Sequence, residues 1–176
     1  MTASPRDPLL TAARILTGIA MGLAIFMCVL MLVLLPVMIV GQEEILKQLS
    51  AEAGKTIDWQ TTAAIQSILV LIAIMAGMAY QWLRDLRRVI DSVGLGDPFV
   101  PENADRLAHM GWLTVGIELL SIPVGGIGQW LAATIKDATS EFGLSIGGIL
   151  LALVLFILAR VFREGARMRA ELEGTV

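Results

Sequence analysis

Residues 84–109 read RDLRRVIDSVGLGDPFVPENADRLAH, and they form the longest polar stretch in a strongly apolar chain. Two long apolar runs precede this stretch and two follow it. Of the 176 residues, 56% are hydrophobic and only 16% are charged, whereas about a quarter of the residues in a soluble domain are charged. The sequence therefore predicts an all-α membrane protein in which residues 84–110 connect two hairpins of membrane-spanning helices.

Four apolar runs are long enough to cross a bilayer, which takes about 20 helical residues. The first run is too long for the apolar core of a secretory signal, which has about 7–15 residues. We expect one integral membrane domain over residues 1–176, a four-transmembrane-helix bundle of two hairpins. The predicted parts are spans at about 15–40, 61–83, 111–135 and 145–162, a connector at 84–110 and a tail at 163–176.

The arginines and lysines are sorted along the chain. All ten arginines lie before the first span, in the connector or near the end of the chain, and the three lysines lie in the two opposite loops. The positive-inside rule then predicts that both termini and the connector are cytoplasmic. The expected location is the inner membrane of a bacterium, with several passes through it.

The connector itself contains signals for helix ends. Apolar residues at a helical period, from Leu83 to Val93, predict that the second helix continues past its span and stops near Gly94. Gly-Asp-Pro at 96–98 is typical of a turn, and Pro101 suits the first turn of the next helix. We therefore expect a helical connector with one turn.

The chain carries little of the chemistry that enzymes use. A net charge of -3 argues against direct binding of nucleic acid, which needs a basic surface. One cysteine, Cys28, and one histidine, His109, provide neither a metal site nor a catalytic pair. We expect no catalytic residue, no metal and no cofactor.

Glu118 is the one acidic residue well inside an apolar run. Such carboxylates usually face other helices and have either a partner or a function. Two interpretations are open: Glu118 makes a buried hydrogen bond that holds the third helix to its neighbours, or it takes part in sensing or transport. Pro123 and three nearby glycines are expected to weaken or bend the same helix. The candidate partners of Glu118 are Gln81, Arg14 and Arg160.

Phe99 is an apolar residue in an otherwise polar turn. Four arginines and five acidic residues nearly balance in the connector, so it is no polybasic lipid-binding patch. Two roles are open for Phe99, packing against the helices or docking a protein partner. In the tail, arginines and glutamates four residues apart favour a helix that projects into solvent. The other candidate functional residues are arginines of the connector and tail: Arg84, Arg88, Arg163 and Arg167.

The two hairpins share a pattern. Residues 36–42 read PVMIVGQ and residues 123–129 read PVGGIGQ; the second and fourth spans are followed by LRDLRR at 83–88 and FREGAR at 162–167. This pattern indicates an internal repeat about an axis along the membrane normal. Chance matching among apolar residues is the alternative interpretation.

The segment GDPFVPENADRL at 96–107, followed by Gly111-Trp112, resembles a motif of a bacterial family of small four-span membrane proteins. The segments FREGAR at 162–167 and LEGTV at 172–176 are similar to the tail of that family. The family is catalogued as a domain of unknown function, and its members are often encoded beside a small Cro/CI-type helix-turn-helix regulator. The resemblance implies a regulatory partner at the membrane and transfers no catalytic residues.

Our first functional hypothesis is a regulatory protein of the cytoplasmic membrane. The connector and tail would lie side by side and capture a small DNA-binding regulator, and a change in packing at Glu118 and Pro123 would release it. The alternative is a small oligomeric transporter or channel with Glu118 in its pathway. The expected partners are the lipid bilayer, the helix-turn-helix regulator and further copies of this chain.

Overall fold

The computed structural model describes residues 8–41, 44, 47, 59–134 and 143–173. Four long helices account for most of them: α1 (Pro8–Val40), α2 (Trp59–Gly94), α3 (Pro101–Thr134) and α4 (Ile146–Glu173). Each is long and apolar enough to cross a membrane. The predicted fold class is confirmed, and the chain is a multi-pass, all-α membrane protein.

Each helix packs mainly against its neighbour in sequence, α1 on α2, α2 on α3 and α3 on α4. Among the described residues, α1 and α4 share no comparable contact. α3 carries more of the buried side chains than any other helix, because it packs against α2 on one side and α4 on the other. Its buried apolar residues are Ala104, Leu107, Met110, Leu113, Val124 and Leu131.

The connector has the predicted helix ends. α2 continues ten residues past Arg84 to Gly94, and α3 begins at Pro101. Gly96 in the turn has a φ of 84°, a left-handed conformation that glycine adopts without steric cost. We call this end of the molecule, with the connector and the last part of α4, the connector end.

α4 begins part-way along α3. Ser145, just before α4, contacts Glu118, which lies 16 residues before the end of α3. Those 16 residues extend α3 beyond the start of α4 by about 24 Å, at about 1.5 Å per residue. The predicted spans give the bounds of both helices but not this offset between them.

Candidate functional site

One buried side chain, that of Asn103, organises the turn between α2 and α3. Asn103 is fully buried, and its Nδ2 donates hydrogen bonds to Ser92 Oγ at 2.5 Å and to the Pro98 carbonyl at 2.9 Å. Its Oδ1 accepts a hydrogen bond of 2.8 Å from Nη1 of Arg106. Because an amide has both donor and acceptor atoms, this one side chain ties together the end of α2, the turn and the start of α3.

A buried carboxylate makes a second polar contact between α2 and α3. The side chain of Asp85 is 5% exposed, and its Oδ2 lies 2.6 Å from Nδ1 of His109. Nη1 of Arg88 lies 3.8 Å from the other carboxylate oxygen. Nearby, the indole nitrogen of Trp82 donates a hydrogen bond of 3.2 Å to the hydroxyl of Thr114. These contacts fix the two helices at the connector end.

The turn also packs against the end of α4. The predicted tail at 163–176 is part of this end, and from here on we use the word tail for residues 160–173 of α4. The rings of Phe99 and Phe162 lie 5.3 Å apart, centroid to centroid, at an angle of 42°. A Cβ on Gly165 would stand 2.7 Å from Cδ1 of Phe99, so the ring occupies the place that another side chain would take there. Of the two roles open for Phe99, the structure shows packing against the helices.

Two ion pairs join the tail to the connector. Nη2 of Arg163 lies 3.1 Å from Oδ1 of Asp105, and Arg169 pairs with Asp97. Both pairs are substantially exposed, and exposed ion pairs each contribute about 0.2–1 kcal/mol. The ion pairs therefore add little to the packing of Phe99 against the tail.

The four predicted arginines do not form one cluster. Arg163 reaches the connector, whereas Arg167 pairs with two glutamates of its own helix. Arg88 lies next to Asp85 on α2. Arg84, also on α2, has a buried Nε that finds no hydrogen-bond partner in the described part of the chain. The fold thus places these four candidate residues in different surroundings on α2 and on α4.

Exposed apolar side chains lie in the turn and in the tail. We call four of them the tip patch: Leu95, Phe99, Met168 and Leu172. Their exposed fractions run from 41% for Phe99 to 84% for Leu95. The ion pair of Arg169 with Asp97 holds the two contributing segments next to each other. Exposed apolar patches often mark sites of protein interaction.

Glu118 holds the start of α4 against α3. Its Oε2 accepts a hydrogen bond of 2.8 Å from the backbone N–H of Ser145. The first N–H groups of a helix have no partner within it, and the helix dipole favours a negative charge beside them. Gly148 allows the close approach, because a Cβ at that position would overlap Oε1 of the carboxylate.

The expected side-chain partners of Glu118 are not its partners in the structure. Arg14 instead pairs with Asp91 of α2 at 2.8 Å, and across the described residues neither Gln81 nor Arg160 bonds to the carboxylate. The expectation assigned partners by depth along the predicted spans. It failed because α4 begins part-way along α3 and brings a free backbone amide to the carboxylate.

Pro123 lies inside α3 without ending it, since the helix continues to Thr134. Just before the proline, the hydroxyl of Ser121 lies 2.7 Å from the carbonyl oxygen of Glu118 and 3.0 Å from that of Gly143. This part of α3 thus contacts the chain that leads into α4 at a second point.

A family model described as "Protein of unknown function (DUF2975)" matches residues 51–176. The match includes α2, α3 and α4 with the connector and the tail, well over half of the chain. The chain belongs to the DUF2975 family. This membership agrees with the resemblance of the connector and tail to a family of unknown function. No curated protein and no solved structure matches the chain.

The seven candidate functional residues lie within the DUF2975 match: Arg84, Arg88, Phe99, Glu118, Pro123, Arg163 and Arg167. Helix α1 precedes the matched residues and joins the DUF2975 region through the pair of Arg14 with Asp91. Within the part of the chain that the structure describes, no three His, Cys, Asp or Glu side chains are grouped closely enough to hold a metal ion.

Three residues of the DUF2975 region matter to the site but were not singled out from the sequence. Asn103 lies in the segment that carries the family resemblance, in the first turn of α3, and short polar side chains near helix starts often bond to nearby backbone groups. Asp85 stands in a charged run that looks solvated. Gly148 is one of many glycines in apolar segments, and nothing local distinguishes it.

Proposed function

We propose that this DUF2975 chain is a regulatory protein of the bacterial cytoplasmic membrane that binds a small DNA-binding regulator at the tip patch. One observation carries the proposal. Phe99 against Gly165 holds the turn and the tail side by side, and apolar side chains of both segments stay exposed. A surface assembled from two distant segments is suited to one partner that contacts both.

A soluble protein fits the tip patch better than lipid does. α2 runs ten residues past Arg84 before the turn, a distance of about 15 Å, so the patch stands clear of the hydrocarbon. The sorting of arginine and lysine along the chain supports a cytoplasmic position for this end. The arginines nearest the patch, Arg163 and Arg169, are paired with aspartates, which leaves little net attraction for anionic lipids.

The proposed partner is a small helix-turn-helix protein. The family resemblance of the connector and tail supports this choice, because members are often encoded beside such regulators. Burial of the apolar tip patch would supply the affinity, and the rim of paired charges would set the orientation. A regulator held there is kept at the membrane and away from its DNA sites.

α4 offers a way for the membrane part to control this binding. It is one helix from Ile146 to Glu173, roughly 40 Å long. Its start is held by Glu118, and its tail forms half of the tip patch. A shift of the start of α4 against α3 moves the tail against the turn, because the helix moves as a rod. Repacking near Glu118 and Pro123 would then release the regulator.

The test is crosslinking in native membranes with a photoreactive residue at Leu95 or, separately, at Met168. Val40, which is 88% exposed at the far end of α1, provides the matched control position. We expect the same small DNA-binding protein to be captured from Leu95 and Met168 and not from Val40. Met168→Asp should abolish capture from Leu95 and change transcription of the regulator's target genes.

Two results would contradict the proposal. One is capture of no protein, or only of this chain, from both tip positions. The other is capture that persists unchanged in Met168→Asp, since a partner indifferent to a charge in the patch does not bind there.

A further inference from the structure

A groove between α3 and α4 runs along the surface from the carboxylate of Glu118. Its volume is about 350 Å³, and Gly148 lies beside the carboxylate at the end where α4 begins. We call it the α3–α4 groove. Its apolar walls include Val115, Leu119, Ile149, Leu153 and Phe156. Glu118 is the one charged residue in this lining.

The carboxylate in the groove is only half satisfied. Oε2 of Glu118 accepts the N–H of Ser145, whereas no donor reaches Oε1 from residues 8–41, 59–134 or 143–173. An ionised carboxylate in apolar surroundings is costly unless its oxygens are bonded and its charge is balanced. One backbone amide and the start of one helix supply part of that balance. A ligand with a positive charge and an N–H donor would supply the rest.

The depth of the carboxylate decides which kind of cation fits. Leu107 packs at the connector end. Glu118 lies 11 residues further along α3, so the two residues are about 16 Å apart along the helix axis. Since the hydrocarbon core of a bilayer is about 30 Å thick, Glu118 lies well inside it. A lipid keeps its charged headgroup at the boundary, so an ammonium group reaches this depth only on a molecule that is otherwise apolar.

We propose that the α3–α4 groove binds a hydrophobic ammonium ion. The ammonium group donates to Oε1 of Glu118, and the apolar body lies along Ile149 and Leu153 towards Phe156. The ring of Phe156 packs against the ring of Trp112, 5.3 Å away at 70°, so Trp112 supports this wall of the groove. The binding site is separate from the tip patch, and the inference does not depend on the regulator.

The test uses the full chain in phosphatidylcholine nanodiscs and two fluorescent probes. Dansylcadaverine carries a primary ammonium group on an apolar body, and its N-acetyl derivative has the same body without the charge. Energy transfer from the tryptophans to the dansyl group reports binding close to the protein. We expect saturable transfer with the amine and only weak, non-saturating transfer with the acetylated probe.

Glu118→Gln is the decisive variant, because it keeps the size of the side chain and an oxygen for the N–H of Ser145 but replaces the charged carboxylate by a neutral amide. It should weaken amine binding by roughly 30-fold or more, the loss expected when one partner of a buried ion pair is removed. Leu153→Phe narrows the groove without touching the carboxylate and without adding a tryptophan donor, and it should also weaken amine binding. Weak transfer from the acetylated probe should stay the same in all three proteins, because it reports probe dissolved in the lipid, and unchanged far-ultraviolet circular dichroism shows that the variants are folded.

Equal affinity of the amine for the native chain and for Glu118→Gln would overturn the proposal, because the probe would then be partitioning into lipid or into any apolar crevice. Absence of saturable transfer in the native chain would overturn it as well.

Discussion

Replacing Asn103 by alanine tests whether the turn at the connector end is held by one buried amide. The change removes two donated hydrogen bonds, to Ser92 and Pro98, and one accepted from Arg106. Each such bond contributes about 1 kcal/mol net, and a buried carbonyl left without a donor costs more. We expect Asn103→Ala to lower the free energy of unfolding by about 3 kcal/mol.

The measurement is reversible unfolding in detergent micelles by titration with dodecyl sulfate, followed by far-ultraviolet circular dichroism. Glu102→Ala is the control, because that side chain is exposed in the first turn of α3 and its interaction with the helix dipole is worth about 0.3–1 kcal/mol. Asn103→Asp keeps the size but places a charged acceptor against the Pro98 carbonyl, so it should cost at least as much as alanine. An Asn103→Ala protein within about 0.5 kcal/mol of the native chain, smaller than the net value of one hydrogen bond, would refute this account of the turn.

Two further predictions concern the contacts around this turn. Asp85→Ala should lower the free energy of unfolding by about 1–3 kcal/mol, because a buried carboxylate that contacts His109 is lost. The control, Asp105→Ala, removes an exposed ion pair and should cost less than about 1 kcal/mol. Equal effects of the two changes in the same titration would show that burial of Asp85 is unimportant. Gly165→Ala should displace the ring of Phe99 and speed amide hydrogen exchange in residues 160–173. The control is Gly77→Ala, where a Cβ meets nothing within 4 Å, and it should leave that exchange unchanged. Unaltered exchange in Gly165→Ala would mean that the ring does not hold the tail.

The helices and the turn of the connector could be predicted because their signals are local. Long apolar runs give the spans, the helical period past Leu83 gives the extension of α2, and Gly94 and Pro101 mark the helix ends. Each signal depends on residues close together in the chain, and the structure agrees with all of them.

The contacts of the candidate site could not be predicted in the same way. The partner of Glu118 depends on where α4 starts along α3, and the close approach at that point depends on a single glycine, Gly148. The side chain opposite Phe99 depends on the register of a tail more than sixty residues away. Charged residues such as Asp85 look solvated in the sequence, and only the packing of α2 on α3 shows that they are buried.

The order in which the helices pack has a consequence for how the chain is made. Because α1 packs on α2, and α3 on α4, each hairpin can form its own contacts as soon as its second helix has left the ribosome, and contacts close in sequence form quickly. Only the surface between α2 and α3 must then be assembled across the two hairpins, and the connector turn with its buried Asn103 lies directly at that surface. Synthesis from the N-terminus therefore never requires an early helix to wait for a distant one.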